Sequence, residues 1–92
     1  MSRLYFDWNS TTPPLASAVA AMVDVYDNVW GNPSSVHGEG RAARARLEDA
    51  RVEVAALVGA SPFDVVFTSG GTEASNLALF APYARDPGGA FL

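Results

Sequence analysis

A strand that runs straight into a helix through two glycines constrains this chain more than any other feature. The apolar or β-favouring segment Val65-Val66-Phe67-Thr68 is followed at once by Ser69-Gly70-Gly71-Thr72, and a helix-like pattern begins there. The apolar residues of the strand are continuous rather than alternating, which is typical of a parallel strand covered on both faces. Such a strand needs neighbours, because its buried N–H and C=O groups must be paired. We therefore predict an α/β sheet.

The remaining pattern fits the same fold class. Apolar residues at helical spacing predict three helices, at about 14–27, 40–58 and 72–83. Pro82 is expected to kink or end the third helix. Short apolar stretches at residues 4–8 and 90–92 are candidate strands. Strands that alternate with helices predict a parallel sheet with helices packed on it.

The chain has too few strands to complete such a sheet. It contains 92 residues, of which 49% are hydrophobic, and many of these are alanines that bury little surface. We expect a thin core, and we interpret the chain as a fragment or as a subunit that another chain completes.

Several classes of function are excluded by composition. The net charge of −4 argues against a nucleic-acid binder. The chain has no cysteine and no lysine, and its single histidine, His37, is expected to be structural, so we assign no catalytic residue and no metal ligand. The longest apolar run, 15–23, is too short to span a membrane, and no signal peptide is recognisable, so a cytoplasmic location is expected.

The Ser69-Gly70-Gly71-Thr72 bend has two interpretations. A glycine turn that opens a helix leaves backbone N–H groups near the positive end of the helix dipole, where a phosphate binds well. The hydroxyls of Ser69 and Thr72 would add donors. Alternatively, the glycines only make a tight turn and a hydroxyl caps the helix.

Three sequence blocks, in order, carry a resemblance to a known family. They are YFDWNSTTP at residues 5–13, GNPSSVH at 31–37 and FTSGGTE at 67–73, with Gly40-Arg41-x-x-Arg44 between the last two. Together they resemble the N-terminal part of a cysteine desulfurase, a pyridoxal-phosphate enzyme of the class V aminotransferase group.

The resemblance implies a fold and a reaction. The fold would be the large parallel-sheet domain of the aspartate-aminotransferase type (fold type I), with residues 1–13 as an N-terminal segment and 14–92 as the incomplete start of the cofactor-binding domain. The family's homodimeric enzymes convert L-cysteine to L-alanine and leave a persulfide for iron–sulfur cluster assembly or other thiolation, with a sulfur-acceptor protein as partner.

The resemblance also assigns residues. The Gly71 backbone and the Thr72 hydroxyl match the positions that hold the phosphate of pyridoxal 5′-phosphate, while Ser69, Gly70 and Glu73 would shape the turn. Residues 9–12 resemble a segment near the substrate entrance, or they form a polar turn whose hydroxyl caps the first helix. Residues 32–37 resemble an ordered loop near the dimer contact.

Other functions stay open. The family's Schiff-base lysine and sulfur-accepting cysteine do not occur in these 92 residues, so we expect the segment alone to be inactive. A related class V aminotransferase or a selenocysteine lyase would share the same features. A non-catalytic module that pairs its strand with a partner's sheet edge is a further alternative.

Overall fold

The structure, a computed structural model, describes residues 2–89. It contains three α-helices, namely α1 (Ala16–Asn28), α2 (Gly38–Val58) and α3 (Gly71–Arg85), and a single 3₁₀ turn at Pro62–Asp64. The three predicted helices are confirmed. The chain divides into two compact units, Met1–Arg51 and Val52–Leu92, with the division inside α2.

None of the predicted strands forms within residues 2–89. Val65 has extended dihedral angles (φ −93°, ψ 124°), but the segment 65–68 is not a regular strand within residues 2–89. Val66 is 65% exposed and Phe67 42% exposed, whereas the sequence predicted burial on both faces. A β-strand is defined by its hydrogen-bonded pairing with a second strand, and no such strand pair is present within residues 2–89. The candidate strand at 90–92 lies outside the described residues.

In the first unit, α1 and α2 are joined by an ion pair. The guanidinium of Arg46 lies 2.8 Å from the Asp24 carboxylate, which also accepts a hydrogen bond of 2.9 Å from the Asn28 side chain. The bond from Asn28, and then the one from Arg46, lower the pKa of Asp24. Asp24 is therefore ionised at neutral pH and links the two helices.

The loop before α2 is held against the start of that helix. The imidazole Nδ1 of His37 accepts a hydrogen bond of 3.1 Å from the Gly40 amide, which caps the helix, so His37 has the structural role predicted for it. Gly40 is buried, and a Cβ there would lie 2.7 Å from the Asn32 carbonyl oxygen and still closer to that of Ser35. Only glycine fits between α2 and this loop.

The N-terminal segment forms the polar turn that was predicted, but it does not cap α1. The Tyr5 hydroxyl lies 3.0 Å from the Asp7 carbonyl oxygen and 3.1 Å from that of Thr11, and it can donate its one proton to either. The N-cap of α1 is Leu15, and no side chain caps it. The predicted capping hydroxyl is therefore wrong, because the helix starts beyond its reach.

On α2, Glu48 pairs with Arg51 at 3.1 Å, one turn away. Pro82 was expected to kink or end α3, and it does not end the helix, which continues to Arg85. Proline removes only its own amide, and its carbonyl still accepts a bond of 3.0 Å from the Asp86 amide. Gly59 follows the last residue of α2 and has a left-handed φ of 67°, which is common at helix ends.

The core is as thin as the alanine-rich composition predicts. The buried hydrophobic side chains in residues 2–89 are Ala43 and Ala55. In the second half of α2, Val54 is 40% exposed and Leu57 85% exposed. These larger apolar side chains are therefore only partly covered by the described residues.

The Gly40 contact can be tested by Gly40→Ala. The added methyl group would overlap backbone carbonyls, so we expect a loss of about 1–3 kcal/mol in the stability of the complete polypeptide. The control is Gly38→Ala, whose Cβ would meet only the flexible Arg41 side chain at 3.9 Å. Thermal unfolding of both variants checks this expectation, and equal melting temperatures would contradict it.

Candidate functional site

The start of α3 presents backbone amides that no other group in the described residues accepts. The first helical hydrogen bond runs from the Ala74 amide to the Gly70 carbonyl, at 3.1 Å. The amides of Gly71, Thr72 and Glu73 precede it and make no hydrogen bond within residues 2–89. Gly70 is the N-cap and has no capping side chain. The helix mouth is therefore open, which suits an anion.

The Thr72 hydroxyl is also uncommitted. It makes no hydrogen bond within residues 2–89, although the Thr72 carbonyl accepts one of 2.9 Å from the Asn76 side chain. The alternative interpretation of the bend required a hydroxyl to cap the helix, and no side chain does so. The site thus offers three amides and one hydroxyl from consecutive residues.

The Ser69 hydroxyl is used inside the bend, contrary to the prediction that it adds a donor for an anion. It donates to the Glu73 carboxylate at 2.5 Å, and the Ser69 amide donates to the same oxygen at 3.1 Å. These two bonds, the hydroxyl first, lower the pKa of Glu73. Because a hydroxyl has one proton to donate, Ser69 cannot also donate to a ligand in this arrangement.

A second hydrogen bond within the bend involves Thr68, and the sequence analysis did not predict it. The Thr68 hydroxyl donates to the Gly70 carbonyl at 3.0 Å. A hydroxyl two residues before an N-cap glycine is the signal that would have revealed it. Gly70 itself is extended (φ 171°, ψ −179°), so the bend contains no left-handed residue at this point.

There is open space beside both glycines of the bend. A Cβ at Gly70 or Gly71 would meet no atom within 4 Å. The glycines are therefore not required by close packing of the described chain, in contrast to Gly40. Space beside unpaired amides is what a bound phosphate group needs.

The other candidate residues belong to the first unit. The segments 9–12 and 32–37 form a turn and an ordered loop there. Across the described part of the chain, no group of three or more His, Cys, Asp or Glu side chains is placed to hold a metal ion. None of the helices described in residues 2–89 is both long and apolar enough to cross a membrane.

Comparison with known proteins identifies the family. The class V aminotransferase profile (Aminotransferase class-V) matches residues 4–89. The chain belongs to the class V aminotransferase family, as its sequence blocks predicted. Members of this family are fold type I pyridoxal-phosphate enzymes, although residues 2–89 show only the helical part of that fold.

Individual relatives carry two names. Selenocysteine lyase of Xenopus tropicalis is 46% identical over 79 residues, which are 86% of this chain and 18% of the relative. Cysteine desulfurase of Cereibacter sphaeroides is 44% identical over 88 residues, 95% of this chain and 23% of the relative. An IscS-like cysteine desulfurase of Mycobacterium tuberculosis is 47% identical over 79 residues, 86% of this chain and 20% of the relative. The chain spans about a fifth of the length of these relatives.

The Ser69–Glu73 contact can be tested through the ionisation of Glu73. Ser69→Ala removes the donor that most stabilises the carboxylate, so the pKa of Glu73 should rise toward the ordinary value. In the wild type, the stability from this bond is present at neutral pH and is lost as the pH falls through the lowered pKa. A carboxyl ¹³C NMR titration measures the shift. Asn76→Ala, which leaves both bonds intact, is the control, and an unchanged Glu73 pKa in Ser69→Ala would disprove the contact.

Proposed function

We propose that the start of α3 holds the phosphate of pyridoxal 5′-phosphate, with the Gly71 and Thr72 amides and the Thr72 hydroxyl as donors. The observation that carries the proposal is the set of amides without acceptors at residues 71–73. Family membership supports it, because the family model covers this segment.

The residues present fit a phosphate group. Amides at a helix N-terminus favour a dianion through their partial positive charge, and a neutral hydroxyl donates without requiring a counter-charge. Open space at Gly70 and Gly71 lets phosphate oxygens approach the backbone. When bound, pyridoxal phosphate supplies an electron sink for chemistry on amino acids. Residues 71 and 72 would anchor the cofactor and orient its ring by holding the phosphate end.

We further propose that the complete polypeptide is a cysteine desulfurase. Relatives with this name match up to 95% of the chain. The reaction would take L-cysteine to L-alanine and leave sulfur as a persulfide on an enzyme cysteine. By the same resemblance, the proposal extends to a cytoplasmic homodimer that passes sulfur to an acceptor protein for iron–sulfur cluster assembly or other thiolation.

A second candidate is selenocysteine lyase, because relatives of that name are equally similar. Both enzymes would use the same phosphate site, so residues 71 and 72 do not distinguish them. The discriminating residue is the sulfur-accepting cysteine, which only the desulfurase reaction requires.

The substrate can be identified with the complete polypeptide that contains these 92 residues. We expect alanine to form from L-cysteine, with kcat/KM values for L-cysteine and L-selenocysteine of comparable size. Mass spectrometry after thiol alkylation should detect a persulfide. Turnover of L-selenocysteine without turnover of L-cysteine would favour the lyase, and turnover of neither would contradict both proposals.

The phosphate site can be tested by Thr72→Val, which removes the hydroxyl but keeps the shape of the side chain. Loss of one hydrogen bond to a charged group costs about 1.5–3 kcal/mol, so the dissociation constant of the cofactor should rise roughly 10- to 150-fold. Ser17→Ala, which removes an exposed hydroxyl from α1, is the control. Unchanged cofactor affinity in Thr72→Val would remove Thr72 from the site.

A further inference from the structure

We propose that Glu73 is a positioning residue for the phosphate site, acting through Ser69 rather than on the ligand. This inference rests on the proposed function, since it assigns a role within the same site. The juxtaposition that carries it is a single carboxylate oxygen of Glu73 accepting both the amide and the hydroxyl of Ser69.

The two bonds close a ring across the bend. Ser69 lies just before the N-cap and Glu73 lies in the first turn of α3, so the contact ties the incoming backbone to the helix. The Thr68 hydroxyl on the Gly70 carbonyl holds the intervening residue. Two glycines without side-chain contacts would otherwise leave this backbone many conformations. The hydrogen bonds from Ser69 to Glu73 and from Thr68 to Gly70 therefore restrict the directions in which the amides of residues 71–73 point.

The same contact also determines where the negative charge of Glu73 lies, and that charge would disfavour a bound anion. A carboxylate in the first turn of α3 lies near the dianion's place and would repel it. A free carboxylate would also compete for the amides of residues 71–73. In the structure, its hydrogen bonds are to Ser69, and those amides stay available. Glu73 thereby stabilises the start of the helix without occupying the site.

Three roles for Glu73 give different results in two variants. Glu73→Gln keeps an acceptor oxygen and loses the charge, whereas Glu73→Ala loses both. A positioning role predicts that Ala weakens phosphate binding and Gln largely restores it. A purely repulsive charge predicts that both variants bind phosphate more tightly. A purely structural role predicts lower stability without any selective effect on phosphate.

The experiment measures the dissociation constants of pyridoxal phosphate and of pyridoxal with the apo form of the complete polypeptide. Pyridoxal lacks the phosphate, so the dissociation constant of pyridoxal divided by that of pyridoxal phosphate measures what the phosphate contributes to binding. We expect Glu73→Ala to reduce this ratio roughly tenfold, since it removes two charge-assisted bonds from the bend. Glu73→Gln should stay within about threefold of wild type, and Ser69→Ala should lie between the two.

The outcomes separate this inference from the proposed function. If Thr72→Val reduces the ratio and Glu73→Ala matches wild type, the positioning role is overturned while the site stands. Equal losses in Glu73→Ala and Glu73→Gln would also overturn it, as would tighter binding in both. If Thr72→Val and Glu73→Ala both match wild type, the phosphate site itself is refuted.

Discussion

Three consecutive amides at the start of α3 that have no acceptor within residues 2–89 are the constraint on which the rest of the site depends. Every α-helix leaves its first N–H groups without partners inside the helix. Most helices satisfy one of them with an N-cap side chain, but Gly70 has none to offer. The carboxylate of Glu73 bonds to Ser69 rather than to these amides. The chain is thus built to keep the helix mouth open rather than to close it.

Large apolar side chains are exposed in the described residues because this chain spans only a small part of the length of its relatives. Val66, Phe67 and Leu57 have the composition of a sheet-and-helix core, yet they remain exposed in residues 2–89. The buried hydrophobic residues in the described part of the chain are Ala43 and Ala55, and alanine buries little surface. The chain spans about a fifth of the relatives' length, so most of the residues of a protein of that length lie outside the structure.

Local features could be predicted from the sequence, whereas features that depend on distant residues could not. Helical spacing located α1, α2 and α3, because this signal acts over one or two turns. The segment 65–68 has strand composition, but pairing depends on residues elsewhere. Pro82 does not end α3, because a proline near the end of a helix removes a single amide hydrogen bond.

The candidate site was predicted in outline. The two glycines and Thr72 pointed to an anion site through simple rules about helix ends. Ser69 was expected both to shape the turn and to offer a donor to an anion, and its hydroxyl instead donates to Glu73. The sequence does not specify this contact, because a side chain that reaches the residue four positions later depends on its rotamer. Gly71 and Thr72 remain predicted phosphate ligands, supported by unpaired amides and by the family of the chain.

The most direct measurement is a crystal structure of the complete polypeptide with bound pyridoxal phosphate. Phosphate oxygens should lie about 3 Å from the amide nitrogens of Gly71 and Thr72, with the Glu73 carboxylate still on Ser69. A phosphate bound elsewhere, or amides at residues 71–73 already paired with another segment of the protein, would contradict the central claim.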